Sequence, residues 1–257
     1  MSLNKGKSLC MFSAKGGVGK SVNILNLAGV CEHLDKKVLI IDFDLYSGSI
    51  ATYVNKKFKK SVYDLAEDVL NNRFTVIKDY VVSVDDYIDV LPAPKDPRDA
   101  GKLDVRTIPD IIKIAEGYYD IVLIDTNHAL NDINLFILEN VSEVLFMTTN
   151  DPLDLKSLRS LIAIFKDLEI TNYKVLLNNS RDPFKSYFSL YDIKHILKTN
   201  IDYTLSVDMF LKDMEKYIMD GIIISLDKKF SSVMSKDYQT FLVIATDLLG
   251  GDKKWVS

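Results

Sequence analysis

Two cysteines, Cys10 and Cys31, are too few for a disulfide framework or for a four-ligand metal site. They fit a reduced, cytosolic compartment and read as small core residues. Three histidines, His33, His128 and His195, are scattered over different segments and do not gather into a metal-binding set. No apolar run approaches the roughly 18 residues of a membrane span, and no signal peptide opens the chain. Thirty-two basic against 36 acidic side chains give a net charge of −4, so no global field draws the protein onto nucleic acid. Glycine and proline occupy only 11 and 6 of 257 positions, while 47% of residues are apolar and 26% charged. That balance excludes disordered and collagen-like classes. The expectation is a cytoplasmic protein with a sizeable core.

What is present is a recurring alternation. Short apolar runs predict strands at Ser8–Ser13, Lys37–Asp42, Tyr87–Leu91, Asp120–Asp125, Val144–Thr148, Tyr173–Asn178 and Asp202–Leu205. Most are unbroken Val/Ile/Leu segments, such as Val38-Leu39-Ile40-Ile41, and so are expected to be buried on both faces of a mainly parallel sheet. Helix-period stretches fall between them at Lys20–Leu34, Val62–Leu70, Arg106–Glu116, Ile133–Val141, Leu153–Leu168, Tyr191–Leu197, Asp208–Met219 and Ser231–Leu249. This β–α order predicts a doubly wound α/β fold with its ligand at the carboxyl ends of the strands. No repeat, low-complexity tract or long linker divides the chain. One domain over 1–257 is expected, with flexible ends at 1–6 and 250–257.

The sharpest signal is Ser13-Ala14-Lys15-Gly16-Gly17-Val18-Gly19-Lys20-Ser21, placed between the first strand and the first helix. Glycines there let backbone N–H groups converge on phosphate oxygens, and the helix N-terminus adds partial positive charge. Lys20 is placed to reach β- and γ-phosphates, the Ser21 hydroxyl to ligate Mg²⁺, and the backbone N–H of Val22 to hold an α-phosphate. Lys15 lies five residues before Lys20 and need not address the same nucleotide. A lysine there can serve phosphates bound by a facing subunit, as an arginine finger does in trans. Dimerisation around nucleotide is the mechanical suggestion, and a homodimer on binding ATP the expectation.

Two further strands end in carboxylates. Asp42 and Asp44 are two residues apart, which in extended backbone puts both on one face, towards a γ-phosphate. One can then hold Lys15 or the Mg²⁺ water shell while the other orients an attacking water. The run Leu123-Ile124-Asp125 delivers a third carboxylate to the metal from the end of a buried strand.

With its second lysine, the phosphate loop resembles the deviant Walker A ATPases of the MinD/ParA superfamily, over Lys7 to about Leu249. The resemblance implies that Asp44 positions water, that Asp125 belongs to the segment sensing the γ-phosphate, and that Asn178 reads the adenine edge. Where the superfamily usually has a second hydroxyl, this chain has Val22; where it usually has proline or glycine, this chain has Asn127. Segments such as Asp42-Phe43-Asp44-Leu45-Tyr46-Ser47-Gly48-Ser49 and Asp154-Leu155-Lys156-Ser157-Leu158-Arg159 are most similar to the CpaE/TadZ branch, which localises Flp (Tad) pilus machinery. That branch implies a pilus, secretion or polar-localisation partner.

Three readings stay open: a slow Mg·ATP-dependent dimerising ATPase, an ATP-binding module with little turnover, and a ParA-like DNA segregation or MinD-like positioning factor. The run Lys56-Lys57-Phe58-Lys59-Lys60 could meet DNA or lipid phosphates, but a solvated loop is the commoner outcome of such a run. Lys253, Lys254 and Trp255 suggest peripheral membrane contact less strongly than they suggest a frayed end.

Overall fold

The computed structural model describes residues 5–180, 187–209, 214–227 and 229–251. Eight strands form one sheet: β1 (Lys7–Phe12), β2 (Val38–Asp42), β3 (Val82–Ser83), β4 (Ile88–Leu91), β5 (Ile121–Asp125), β6 (Glu143–Thr148), β7 (Tyr173–Asn178) and β8 (Tyr203–Leu205). Their order is β3-β4-β2-β5-β1-β6-β7-β8, and every pairing is parallel except β3 with β4. The seven expected strands are therefore all present, within a residue or so at each end. Strand β3 had no sequence signal; it is two residues long and carries a polar serine.

Continuous apolarity becomes two-sided burial. Leu39, Ile41, Val122 and Ile124 pack into one core layer, while Val38, Ile40, Ile121 and Leu123 pack into the other. The first layer is covered by α3 (Val62–Leu70), α4 (Ile108–Tyr118), α5 (Asp132–Asn140), α6 (Pro152–Asp167) and α7 (Leu190–Leu197). The second lies under α1 (Lys20–Glu32) and α10 (Ser235–Leu248), with short α2 (Ile50–Tyr53), α8 (Met214–Asp220) and α9 (Phe230–Val233) at its margins. Cys10 and Cys31 are free, buried, one in each layer, and burial pushes both thiols up to about 12. Each fully buried aliphatic side chain contributes roughly 1.5–3 kcal/mol, so the layers on both faces hold the strand ends firmly.

Local chemistry sets the helix starts. Helix α6 begins one residue earlier than expected, because Asp151 accepts from the N–H groups of Leu153 and Asp154 and Pro152 supplies a preset φ at N1. Helix α4 begins two residues later than expected, because Asp104 first caps a tight turn over Val105–Thr107. The stretch expected as one helix over Ser231–Leu249 is broken at Met234, whose backbone leaves the helical region (φ −108°, ψ 40°). Of the expected helix Asp208–Met219, residues 210–213 lie outside the described residues, as do 1–4 and 252–257 of the two chain ends. No helix among the described residues is long and apolar enough to cross a membrane.

Because β1, β2, β5 and β7 are parallel neighbours or near-neighbours, their carboxyl ends bring Ser13–Val22, Asp42–Ile50, Asp125–His128 and Asn178–Ser180 to one edge of the sheet. Strand β1 has β5 on one side and β6 on the other, and the chain reverses its progression across the sheet there. That is the crevice position of doubly wound folds.

Candidate functional site

The loop between β1 and α1 carries two left-handed glycines, Gly17 at φ 75° and Gly19 at φ 103°. A Cβ on Gly19 would be strained by that φ and would also crowd the side-chain amides of Asn178 and Asn23, at 3.1 and 3.2 Å. Helix α1 starts directly behind, with no acidic side chain in its first turn to compete for an anion. The loop therefore presents a positive helix end whose first N–H groups lack intrahelical partners.

Lys20 is buried and donates from Nζ to Ser13 Oγ at 2.8 Å; Ser13 Oγ in turn donates to the Lys15 carbonyl at 2.7 Å. Burial lowers the Lys20 pKa, while the charges of Asp125 and Asp44 oppose that shift. Ser21 Oγ donates to Asp125 Oδ2 at 2.6 Å, and Ser49 Oγ donates to Ser21 Oγ at 3.3 Å. Asp125 is 1% exposed, and its Oδ1 is buried with no hydrogen-bond partner. Burial pushes this carboxyl up to about 6 against the pull of Ser21 and Lys20.

Asp42 and Asp125 are register partners on β2 and β5. Strand alternation places both on the α1 face, with Ile40 and Leu123. Burial raises Asp42 well above the usual carboxylate range, and its neighbour Asp125 adds to the effect. The expectation that Asp42 and Asp44 share a strand face is corrected here. Strand β2 ends at Asp42, so the alternation stops, and Asp44 sits in the following turn. The Asp42 carboxylate accepts from Asp44 N at 3.1 Å and from Ile50 N at 3.0 Å, and so folds the 43–49 turn over itself. It is Asp44 that lines the cleft beside Lys20 and Ser21.

That cleft, about 360 Å³, runs from Asp44 and Thr126 past the phosphate loop to Asn178 and Met209. Val22 lines it with an apolar side chain. Asn178 is buried and braces the loop: its Nδ2 donates to the Val18 carbonyl at 2.9 Å, and its Oδ1 accepts from Ser180 N and Oγ. Its acceptor side, expected to meet a base edge, is thus occupied by Ser180. Asn127 makes its own turn, accepting from Ala129 N and from Asn134 Nδ2, and the His128 ring covers Gly16. Asn23 was not anticipated. It is buried in the first turn of α1, donates to the Gly19 carbonyl at 2.8 Å, and leaves Oδ1 without a partner. A polar residue on the buried side of that helix was the available signal.

Lys15 stands apart from Lys20. It lines a second cavity of about 860 Å³ on the other flank of the loop, and its Nζ lies 3.3 Å from Asp151 Oδ1. The backbone N–H of Asp154 and, after it, the Lys15 ammonium hold the Asp151 carboxyl below the usual range.

Among the described residues no group of three His, Cys, Asp or Glu side chains can hold a metal unaided. Ser21 Oγ, the unpartnered Asp125 oxygen and the Asp44 carboxylate in the same cleft nevertheless fit a Mg²⁺ that keeps several waters and shares phosphate oxygens.

The sequence family described as the AAA domain matches residues 6–178, well over half of the chain. The chain belongs to that family. The matched span of this AAA domain runs from before β1 to the end of β7 and includes every residue of the loop, all three aspartates and Asn178. It is 30% identical over 190 residues to an uncharacterised ATP-binding protein of Methanocaldococcus jannaschii, covering 72% of this chain and 68% of that one. Its fold is that of ParA and MinD ATPases. A ParA family ATPase from Chlorobium tepidum superposes with a TM-score of 0.81 at 21% identity, over 94% of this chain and 98% of the other. The septum site-determining protein MinD of Pyrococcus horikoshii, complexed with Mg-ADP, gives 0.76 at 19% identity over 98% of each chain.

Proposed function

We propose that this chain is a Mg·ATP-dependent ATPase of the MinD/ParA type that dimerises on ATP and positions a cellular assembly. The observation that carries this reading is the Ser21–Asp125 contact with an unpartnered carboxylate oxygen, set beside Lys20 and within the same cleft as Asp44. Mg²⁺, held by Ser21 with Asp125 and Asp42 around its water shell, would supply charge neutralisation of the β- and γ-phosphates.

The chain's own residues do the rest. Gly16–Val22 offer backbone N–H groups to the phosphates, and Lys20 leaves Ser13 to meet them. Asp44 stands where it can orient a water, with Asp42 fixing the turn that carries it. Lys15, on the outer flank of the loop, is free to answer a partner's phosphates once Asp151 releases it. Asn178 supports the loop and has one amide hydrogen left for a base. The cargo proposed is a polar assembly such as the Flp pilus machinery, on the strength of the 42–49 and 154–159 segments; partition and septum-site relatives support the broader positioning role.

Phosphate release by purified protein tests this directly. Wild type should turn over ATP slowly, Lys20→Ala should lose nucleotide binding, and Asp44→Ala should keep binding while turnover falls about 10²-fold. Equal turnover in wild type and Asp44→Ala removes the catalytic role. If that shared rate equals buffer, the chain is an ATP-binding module, a reading that Val22 in place of a hydroxyl favours.

A further inference from the structure

The 42–50 segment has two sides. One lines the cleft through Asp44; the other closes a separate cavity of about 280 Å³, through Tyr46, Ser47 and Gly48. Ala51, Pro92, Ala93 and Pro94 make the apolar part of that second cavity, with Phe58 at its side, while Asp42, Ser47 and Thr52 add polar surface. Tyr46 stands at the rim, 57% exposed.

The rim is cationic. Lys95 Nζ lies 4.9 Å from the Phe58 ring centroid, which fixes one ammonium at the mouth. Lys57 and Lys59, on either side of Phe58, are exposed and have no ion-pair or hydrogen-bond partner among the described residues. The rest of the lysine run is committed: Lys56 donates to the Val84 carbonyl, and Lys60 meets Asp68 and the Tyr80 ring. Lys95 thus stands at the mouth of the hollow beside Phe58, and the exposed Lys57 and Lys59 flank Phe58 in the chain.

We propose that this cavity docks an acidic peptide segment of a partner protein, anchored by one apolar side chain, and that docking sets the conformation of the Asp44 turn. Charge complementarity selects the acidic partner, and the enclosed floor selects a peptide: a phosphate polymer would satisfy the lysines but leave the hollow unfilled. The mechanical link is short. Asp42 lines the cavity and binds Asp44 N and Ile50 N, and a Cβ on Gly48, at φ 48°, would meet Ala93 at 3.2 Å. Anything that fills the hollow therefore presses on the backbone that presents Asp44. Docking stands independently of the nucleotide assignment; only its consequence for turnover rests on the function proposed above.

The test uses full-length protein without nucleotide and a short fluorescein-labelled peptide with one leucine flanked by glutamates. Anisotropy should show salt-sensitive binding. It should weaken about tenfold or more in the combined variant Lys57→Glu, Lys59→Glu, Lys95→Glu, and likewise in Thr52→Trp, which plugs the cavity from an exposed position without changing charge. Hydrogen exchange should slow at residues 43–50 on binding, and Lys20→Ala should bind the peptide as wild type does. The proposal is overturned by absence of binding, by unchanged binding in both variants, or by protection confined elsewhere. It is equally overturned if the peptide with glycine for leucine, a DNA duplex, or phosphatidylglycerol vesicles bind as tightly.

Discussion

Replacing Asp125 by asparagine should make the nucleotide-free protein more stable while it weakens Mg·ATP binding. Asp125 is 1% exposed, keeps one oxygen unpartnered, and burial pushes its carboxyl up to about 6 from an ordinary 3.8. A folded-state pKa above the unfolded one means that this group's contribution is fully present below about pH 4 and is lost as pH rises to about 6 and beyond. Two units at about 1.4 kcal/mol each make the ionised carboxylate cost roughly 3 kcal/mol at pH 7. Asparagine keeps an acceptor for Ser21 Oγ and carries no charge. Some of the gain is offset because Lys20 loses a neighbouring anion, so about 2 kcal/mol should remain, or roughly 4–8 °C in Tm for a domain of this size. Thermal unfolding in EDTA at pH 7 measures it, and the gap between variant and wild type should close towards pH 4. The same variant should bind Mg·ATP at least about tenfold more weakly, read by calorimetry. If Asp125→Asn melts at or below wild type at pH 7, with no pH-dependent gap, the buried carboxylate is not held at a cost and the argument for a site awaiting a cation fails.

Lys15→Ala should leave ATP affinity within about twofold and abolish ATP-driven association in sedimentation. Asp151→Asn keeps the α6 cap but removes the ion pair, and since both partners are more than a third exposed the gain in association should be small, about twofold. Asp42→Ala frees Asp44 N and Ile50 N and so should lower both Mg·ATP binding and turnover, unlike Asp44→Ala; calorimetry and phosphate release together separate the two. Tyr119→Phe removes a 2.7 Å donor to Asp89, a carboxylate that burial pushes up but that hydrogen bonds from Lys78, Ser83 and Tyr119 hold below its usual value. The loss should be about 1–2 kcal/mol by urea unfolding above pH 4, fading as pH falls through the depressed folded-state pKa.

The sheet was legible because β2 and β5 are nearly pure Val/Ile/Leu runs and β1, β6 and β7 carry unbroken apolar stretches at 9–12, 144–147 and 175–177, a pattern that a doubly covered parallel sheet accommodates. The loop was legible because Gly17 and Gly19 stand at positions whose φ values need glycine. What sequence could not supply was the direction of polar side chains at the strand ends. Asp42 and Asp44 differ by two positions in either case; whether they share a face depends on where β2 stops, and it stops at Asp42 because that carboxylate finds the N–H of Ile50 at the start of α2. Asn178 likewise has the right residue type at the right strand end, yet its oxygen is taken by Ser180 and one amide hydrogen by the carbonyl of Val18, 160 residues away in the chain. Such long-range pairings leave no periodicity to detect.

The charge balance of the cleft gives these separate placements a common cause. Lys20 is the buried ammonium facing Asp125 and Asp44, and burial works against it as well as against Asp42 and Asp125. A site optimised for the empty protein would pair these groups or replace them by apolar ones. Instead Lys20 rests on a neutral serine, while Asp125 and Asn23 each keep a buried acceptor oxygen without a partner. Surplus negative charge and unmet acceptors call for cations and donors, whereas the loop and the α1 terminus call for an anion. A metal–polyphosphate pair satisfies both demands at once, and neither half does so alone. The strain of the empty cleft is therefore an argument for linked uptake: Mg²⁺ should raise nucleotide affinity far more in wild type than in Asp125→Asn, and without metal the variant, with one anion fewer beside the phosphates, should bind nucleotide at least as tightly as wild type.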